Sequence, residues 1–521
     1  MSSATVGTTK DRSQGQFPTN ATGPIPVVAH TCGGNVTAVD VHVSLLGRAD
    51  LAGEIYRQLR AAITDGRLRA GDPLPPTREL ARRLDVSRGT VAVAYDRLNG
   101  EGYVTTRIGA GTFVNDEAAC HTPAAAAAEG ALRARPIWQH IPVSAVFAAP
   151  ARYDFRTGLP DASRFPFPTW RQLMARELRA SAVGRGEYGD PAGHPGLRSA
   201  IARHLGVSRG VATTPERVTV TNGTQQAFDL IARVLLAPGD RVAVEDPGYA
   251  PARRLFQSLG LEVIGVPVDE HGLIVDALPA QARLVYVTPS HQYPLGSAMS
   301  LPRRMALLEW AHRHDAAIIE DDYDSEFRYG GRPIEPLCTL DVDGRVLFVG
   351  SFSKVMLPTL RVGFVIAPPA LCGALRTAKY VADWHTNLPT QAALARFIDD
   401  GHLARHIHTM RAVYQQRHNR ITAALDGPLS AHLSVIASAA GLHVSATART
   451  ASADEMTAVA QQALAAGVAV QPLSTFRITQ PFRAGLALGY GAIETDDIDE
   501  GLLRLAQAFQ PRPGTPRVAE R

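Results

Sequence analysis

From Tyr153 onward, short runs of apolar and β-branched residues alternate with stretches of helical periodicity, and this alternation restricts the fold more than any other feature. The runs are Arg217–Thr221, Arg241–Glu245, Leu261–Val266, Leu284–Thr288, Ala316–Glu320, Val346–Val349 and Val362–Ala367. Helical patterns such as Gln225–Leu236, Pro302–His314 and Leu388–Asp399 lie between them. Continuously apolar strands are buried on both faces, so the pattern predicts an α/β domain with a mainly parallel sheet and helices on each side. Such sheets bind ligands beyond the carboxyl ends of their strands. The residues just after each run are therefore where chemistry is expected.

Four of those positions carry unusual residues. Gly350-Ser351-Phe352-Ser353-Lys354 places a lysine at a strand mouth, and Arg361 follows seven residues later. Burial lowers a lysine's pKa, and the neutral amine condenses with an aldehyde to a Schiff base. Arg361 offers a permanent bidentate phosphate clamp. By itself the stretch reads equally well as a surface loop. Asp321-Asp322-Tyr323-Asp324 ends another strand, where carboxylates are costly unless a cation or proton meets them. A pyridinium nitrogen is such a partner for one of these carboxylates, with Tyr323 on the ring's phenolic oxygen; an acidic helix-capping loop is the plain alternative. Gly223-Thr224-Gln225 opens a helix after a strand, which makes an anion site or ordinary glycine punctuation. Tyr249, after Asp246-Pro247-Gly248, is placed to stack on a planar ring or to close the core edge. A Schiff-base lysine, a phosphate clamp and a ring-nitrogen carboxylate are together what pyridoxal 5'-phosphate requires.

The N-terminal third has a different texture. Residues 1–44 show no periodicity and are expected to form a disordered leader. Within 45–116, Leu51, Ile55, Leu59 and Ile63 recur at helical spacing. Thr77 and Ser87 then stand as caps of two short helices, the helix-turn-helix layout, and 103–107 with 112–114 read as a Gly-tipped hairpin, a wing. Arg78, Arg88 and Arg97 fall on the helices and Arg107 on the wing, suited to phosphates and guanine edges. Gly109 and Gly111 allow close backbone approach to a sugar-phosphate strand. Residues 117–150, rich in alanine and proline, read as a flexible linker before the large domain of 151–521.

Composition excludes little else. The chain has 521 residues and a formal charge of +4 from 53 basic and 49 acidic residues, too small a surplus to argue for nucleic acid. Four scattered cysteines give no zinc spacing and suit a reducing, cytoplasmic setting. No apolar run has membrane-spanning length and no secretory signal opens the chain.

Two resemblances follow. Leu74-Pro-Pro-Thr-Arg78, Val86-Ser-Arg88-Gly-Thr90 and Gly109-Ala-Gly-Thr112 resemble the winged helix-turn-helix of the GntR regulators. This implies phosphate contacts from Thr77, Arg78 and Thr90, and base or backbone contacts from Ser87, Arg88 and the wing around Gly109 to Thr112. Gly223 to Arg361 resemble, in chain order, the cofactor site of fold-type I aminotransferases. The strings Glu187-Tyr188-Gly-Asp-Pro, Ser290-His291-Gln-Tyr-Pro and Glu320-Asp-Asp-Tyr-Asp-Ser-Glu-Phe-Arg328 are similar to the MocR subfamily, in which the two are fused. The resemblance implies Lys354 as Schiff-base residue, Asp321 and Tyr323 on the ring, and Thr224, Gln225, Ser351 and Arg361 on the phosphate, with Ser353 beside them. It further implies Tyr188 reaching a partner's phosphate in a homodimer, and promoter DNA as partner. Two departures stand out. His291 occupies the place of an asparagine beside the ring. Gly485–Gly489 lacks the arginine that holds a substrate carboxylate. The expectation is a regulator sensing pyridoxal phosphate and an amine or amino acid; an active aminotransferase with an appended DNA-binding domain is the alternative.

Overall fold

The computed structural model describes residues 25–27, 39–41, 50–107, 109–115, 133–142, 150–183, 186–330, 335–438, 440–479 and 483–510. Most of the expected leader and linker lies outside them. The chain divides into two compact units, Met1–Ala134 and Arg135–Arg521.

In the first unit, Ile25–Val27 pairs antiparallel with Val39–Val41, so the expected structureless leader contains a strand pair. The helix Leu51–Thr64 is capped by Asp50, whose Oδ1 accepts from Gly53 N at 2.9 Å. Its apolar face (Ile55, Leu59, Ala62, Ile63) packs with Leu80, Val91, Ala94, Leu98, Val104 and Val114 into one core. Ser87 caps the helix Arg88–Gly100 as expected, accepting from Thr90 N at 3.1 Å. Thr77 does not cap: Pro76 holds that position and Thr77 is the first residue of the helix Thr77–Leu84. Its hydroxyl instead lies 3.4 Å from Arg88 Nε. The wing strands Val104–Arg107 and Gly111–Val114 pair antiparallel, and Pro73–Leu74 adds a third strand.

The second unit is built on an eight-stranded sheet in the order Gly272–Leu273, Glu262–Asp269, Arg241–Asp246, Ala282–Val287, Ala317–Asp322, Val346–Ser351, Gly363–Ile366, Val218–Thr221. The strands from Glu262–Asp269 through Val346–Ser351 are mutually parallel. The last two pairings are antiparallel. The loop 352–362 is too short for a crossover helix, so the chain must return antiparallel. That return puts Lys354 and Arg361 in a single loop at the strand ends. Along Arg241–Asp246, Val242 and Val244 face one apolar layer with Phe228, Ile231 and Phe256, while Ala243 faces another with Leu307 and Trp310. A smaller antiparallel sheet follows, ordered Leu433–Val435, His443–Ala448, Gly485–Gly489, Gln471–Pro472. Among the described residues, no helix is long and apolar enough to cross a membrane.

Candidate functional site

The phosphate side of the site begins at Gly223, which takes φ +76° before the helix Thr224–Leu235. Arg361, itself in the left-handed region at φ 52°, donates from Nη2 to the Asn222 carbonyl at 2.7 Å. Glycine is required there by conformation, and a Cβ, 2.6 Å from that Nη2, would have to displace the guanidinium. Behind the cup, Asn222 Nδ2 donates to Asp383 at 2.5 Å, and the fully buried Lys379 donates to Asp383, Gln226 and Thr386. Ser351 Oγ accepts from Ser353 N at 3.0 Å. Gln225 Nε2 is buried without a partner among the described residues. A helix start, a guanidinium and an unsatisfied amide donor together fit a phosphate.

Lys354 Nζ donates to the carbonyl of Gly158 at 2.7 Å, and a Cβ on Gly158 would come within 3.2 Å of it. Burial holds the Lys354 amine below the usual lysine range, against the pull of Asp324 and Asp321. Asp321 is close enough to act on that amine electrostatically. Its Oδ2 accepts from Tyr286 Oη at 2.6 Å, whereas Oδ1 is buried and without a partner among the described residues. Burial pushes this carboxyl up to about 7. An unmet acceptor on a destabilised carboxylate is what a protonated ring nitrogen satisfies, so the residues fit pyridoxal phosphate.

Tyr249 precedes the helix Ala250–Ser258 and meets Tyr293 edge-on at 5.6 Å, its hydroxyl pushed up to about 12 by burial. Tyr323 directs its hydroxyl at His291, donating to the carbonyl at 3.0 Å and lying 3.0 Å from Nδ1. His291 is further held by Asp324 (Nδ1 to both oxygens, 3.1 Å) and by Ser438 Oγ (Nε2, 3.0 Å). Burial lowers the adjacent His443 to about 3, and its Nε2 lies 2.9 Å from the Pro294 carbonyl. Gly158, Asp324, His443, Ser438 and the Lys379–Asp383 pair were not anticipated from sequence. Only Asp324 lay in a motif already singled out. On the strand Gly485–Gly489, where the carboxylate arginine is missing, Ala487 packs against Leu473 and Phe476, with Tyr293 and Leu295 beside them. Arg483 is exposed, and Arg477 contributes its carbonyl to Arg253. Tyr188 is exposed, its ring 4.4 Å from Trp384.

In the first unit, Arg78, Ser87 and Arg88 are exposed on the two helices, and Thr77 and Thr90 are half-buried. On the wing, Gly109 (φ 80°) and Gly111 (φ 120°) are exposed and Thr112 faces Thr106 at 3.4 Å. Arg107 lies 5.1 Å from the Phe113 ring. Arg97 is engaged within the fold, 3.9 Å over the Tyr56 ring and 3.1 Å from Glu101.

Fold and site define a pyridoxal-phosphate protein of aminotransferase architecture joined to a winged-helix DNA-binding domain. Residues 154–493 match the family model for aminotransferase class I and II, and residues 51–114 match that for bacterial regulatory proteins of the gntR family. The chain is 38% identical to the probable rhizopine catabolism regulatory protein MocR of Rhizobium meliloti, covering 88% of this chain and 93% of that one. It is 37% identical to the pyridoxine biosynthesis transcriptional regulator PdxR of Corynebacterium glutamicum, over 70% of this chain and 76% of the other. Among solved structures, a kynurenine aminotransferase of Pyrococcus horikoshii superposes with a TM-score of 0.66 at 28% identity, covering 72% of this chain and 96% of that one. The chain belongs to the MocR-type GntR regulators, DNA-binding transcriptional regulators with a pyridoxal-phosphate-binding aminotransferase domain.

Proposed function

We propose that the protein senses pyridoxal phosphate, and an amine or amino acid brought to it, at Lys354 and alters promoter binding in response. The observation that carries the reading is the partnerless Oδ1 of Asp321, a buried carboxyl close enough to Lys354 to act on it electrostatically, beside a lysine held below its usual pKa by burial. Bound pyridoxal phosphate supplies an electrophilic aldehyde and an electron-withdrawing ring. Lys354 is the residue that links to it, and Asp321 holds the proton on the ring nitrogen. Thr224, Gln225, Ser351, Ser353 and Arg361 hold the phosphate, with the Gly223 turn making room. Tyr249, His291 and Tyr323 border the ring. Tyr188, exposed beside Trp384, serves a second copy of the chain in a homodimer.

Sensing is favoured over turnover by Ala487 and its apolar neighbours, because an amino-acid substrate needs a clamp on its carboxylate for reactive geometry. On the DNA side, Thr77, Arg78, Ser87, Arg88, Thr90, Gly109, Gly111 and Thr112 form the contact set. Arg107 extends that set along the wing, and Arg97 reaches DNA only by leaving Tyr56 and Glu101. Ligand exchange at Lys354 changes local charge and biases a two-state dimer, which moves the winged helices.

The test is an absorbance titration of the full-length protein with pyridoxal phosphate, then with a panel of amines and amino acids, alongside binding to DNA upstream of its own gene. A ligand that shifts the absorbance and the DNA affinity without releasing keto acid supports the reading. Keto acid accumulating over many turnovers with DNA affinity unchanged would replace it with an enzyme.

A further inference from the structure

The helix Arg88–Gly100 buries Val91, Ala94, Tyr95 and Leu98, a spacing of three, four and seven that fixes which side faces the domain core. The opposite side carries Gly89, Val93 and Asp96, all exposed, and Arg88 is exposed at the first position of the helix. Val93 is 59% exposed, a β-branched apolar side chain held out to water one helical turn beyond Gly89. A lone exposed valine on an arbitrary helix needs no explanation. This one sits on the helix that the gntR match identifies as part of the DNA-binding domain, five residues beyond the arginine proposed to read a base.

Gly89 adds an independent observation. Its backbone lies in the ordinary helical region, so no left-handed turn demands glycine, and a Cβ there would meet only Ser87 Oγ at 3.6 Å. Alanine at this position is favoured by helix propensity and opposed by nothing in the domain. The bare backbone leaves clearance for something outside the protein.

We propose that Val93 reads a thymine in the major groove, its methyl groups against the base's C5-methyl, in the half-site where Arg88 contacts a guanine, with Gly89 providing the clearance that lets the helix seat. The C5-methyl is the single apolar group on the major-groove edge of a base pair, and an aliphatic side chain is what recognises it. This rests on the DNA-binding role of Arg88 stated above.

The full-length protein would first be used to select its preferred duplex from a random pool. Each thymine of that duplex is then replaced, one at a time, by deoxyuridine, which removes the methyl group and nothing else. The expected result is one thymine per half-site whose replacement weakens wild-type binding by roughly three- to tenfold. The Val93→Ser protein should bind the thymine and deoxyuridine forms alike, and Val93→Ile should keep the preference. Gly89→Ala should slow amide exchange across Arg88–Gly100 while weakening binding to the selected duplex, two effects of opposite sign. The proposal is overturned if no deoxyuridine substitution weakens binding, if the same penalty persists in Val93→Ser, or if Gly89→Ala binds as tightly as wild type. Failure to select any sequence overturns the DNA-contact assignment itself, a separate and earlier result.

Discussion

Gly223 and Arg361 contend for one volume: a Cβ on Gly223 would sit 2.6 Å from Arg361 Nη2. Gly223→Ala therefore pushes the guanidinium off the cup and also strains a backbone at φ +76°. The expected outcome is at least a tenfold loss of pyridoxal-phosphate affinity by fluorescence titration, with secondary structure intact. The double variant Gly223→Ala, Arg361→Ala should bind no worse than Arg361→Ala alone; a further large loss would mean that the glycine acts by another route.

Lys354→Ala should abolish the near-visible absorbance of the linked cofactor and leave no cofactor mass on the chain after borohydride reduction. The variant should remain folded, because Lys354 Nζ makes its hydrogen bond to one carbonyl, that of Gly158. An unchanged spectrum removes Lys354 from the covalent role.

Glu245 sets a pH dependence that can be isolated by difference. Its Oε2 accepts from Thr288 and Gln292, its Oε1 is partnerless among the described residues, and burial, reinforced by nearby Asp321, raises its pKa from 4.5 to about 7. The folded state thus holds a proton that the unfolded chain releases near its ordinary pKa, so the stability this group contributes falls as pH rises through about 7. Relative to Glu245→Gln, wild type should melt higher at about pH 5 and lose that advantage by about pH 8. The reverse slope would mean that Glu245 is ionised in the fold.

Lys379→Met leaves Asp383, Gln226 and Thr386 facing a methyl thioether where an ammonium was. Removing one member of a buried ion pair costs about 3 kcal/mol. The loss should appear as a lower urea midpoint, and the pairing Lys379→Met with Asp383→Leu should recover much of it. A neutral single variant would show that the lysine is not bearing this network.

Arg88→Ala should weaken binding to the preferred duplex by about 1–3 kcal/mol and relax sequence preference. Arg78→Ala, proposed on a phosphate, should weaken all sequences alike and reduce the salt slope by about one. An Arg88→Ala protein with unchanged preference displaces the recognition helix from its assigned role.

What could be read from the sequence was whatever local pattern determines. Ser87 caps its helix through a contact three residues away, and Lys354, Asp321 and Arg361 stand where strands end. Their surroundings were not legible. Gly158, which receives the Lys354 hydrogen bond, is 196 positions distant along the chain. Lys379 and Asp383, four apart on a helix, carry the pattern of a solvated surface pair, and only the tertiary fold buries the lysine. Thr77 failed as a cap because Pro76 already occupied that geometry. Ser438 meets His291 from the loop after the strand Leu433–Val435, 147 positions along the chain, and no spacing announces it.

The Lys379–Asp383–Asn222 chain of bonds has a consequence for what occupancy of the cup means. Asn222 is anchored from behind by Asp383 and holds Arg361 in front, so bonds within the protein itself position the guanidinium. A pocket of that kind spends little of its binding free energy on ordering itself.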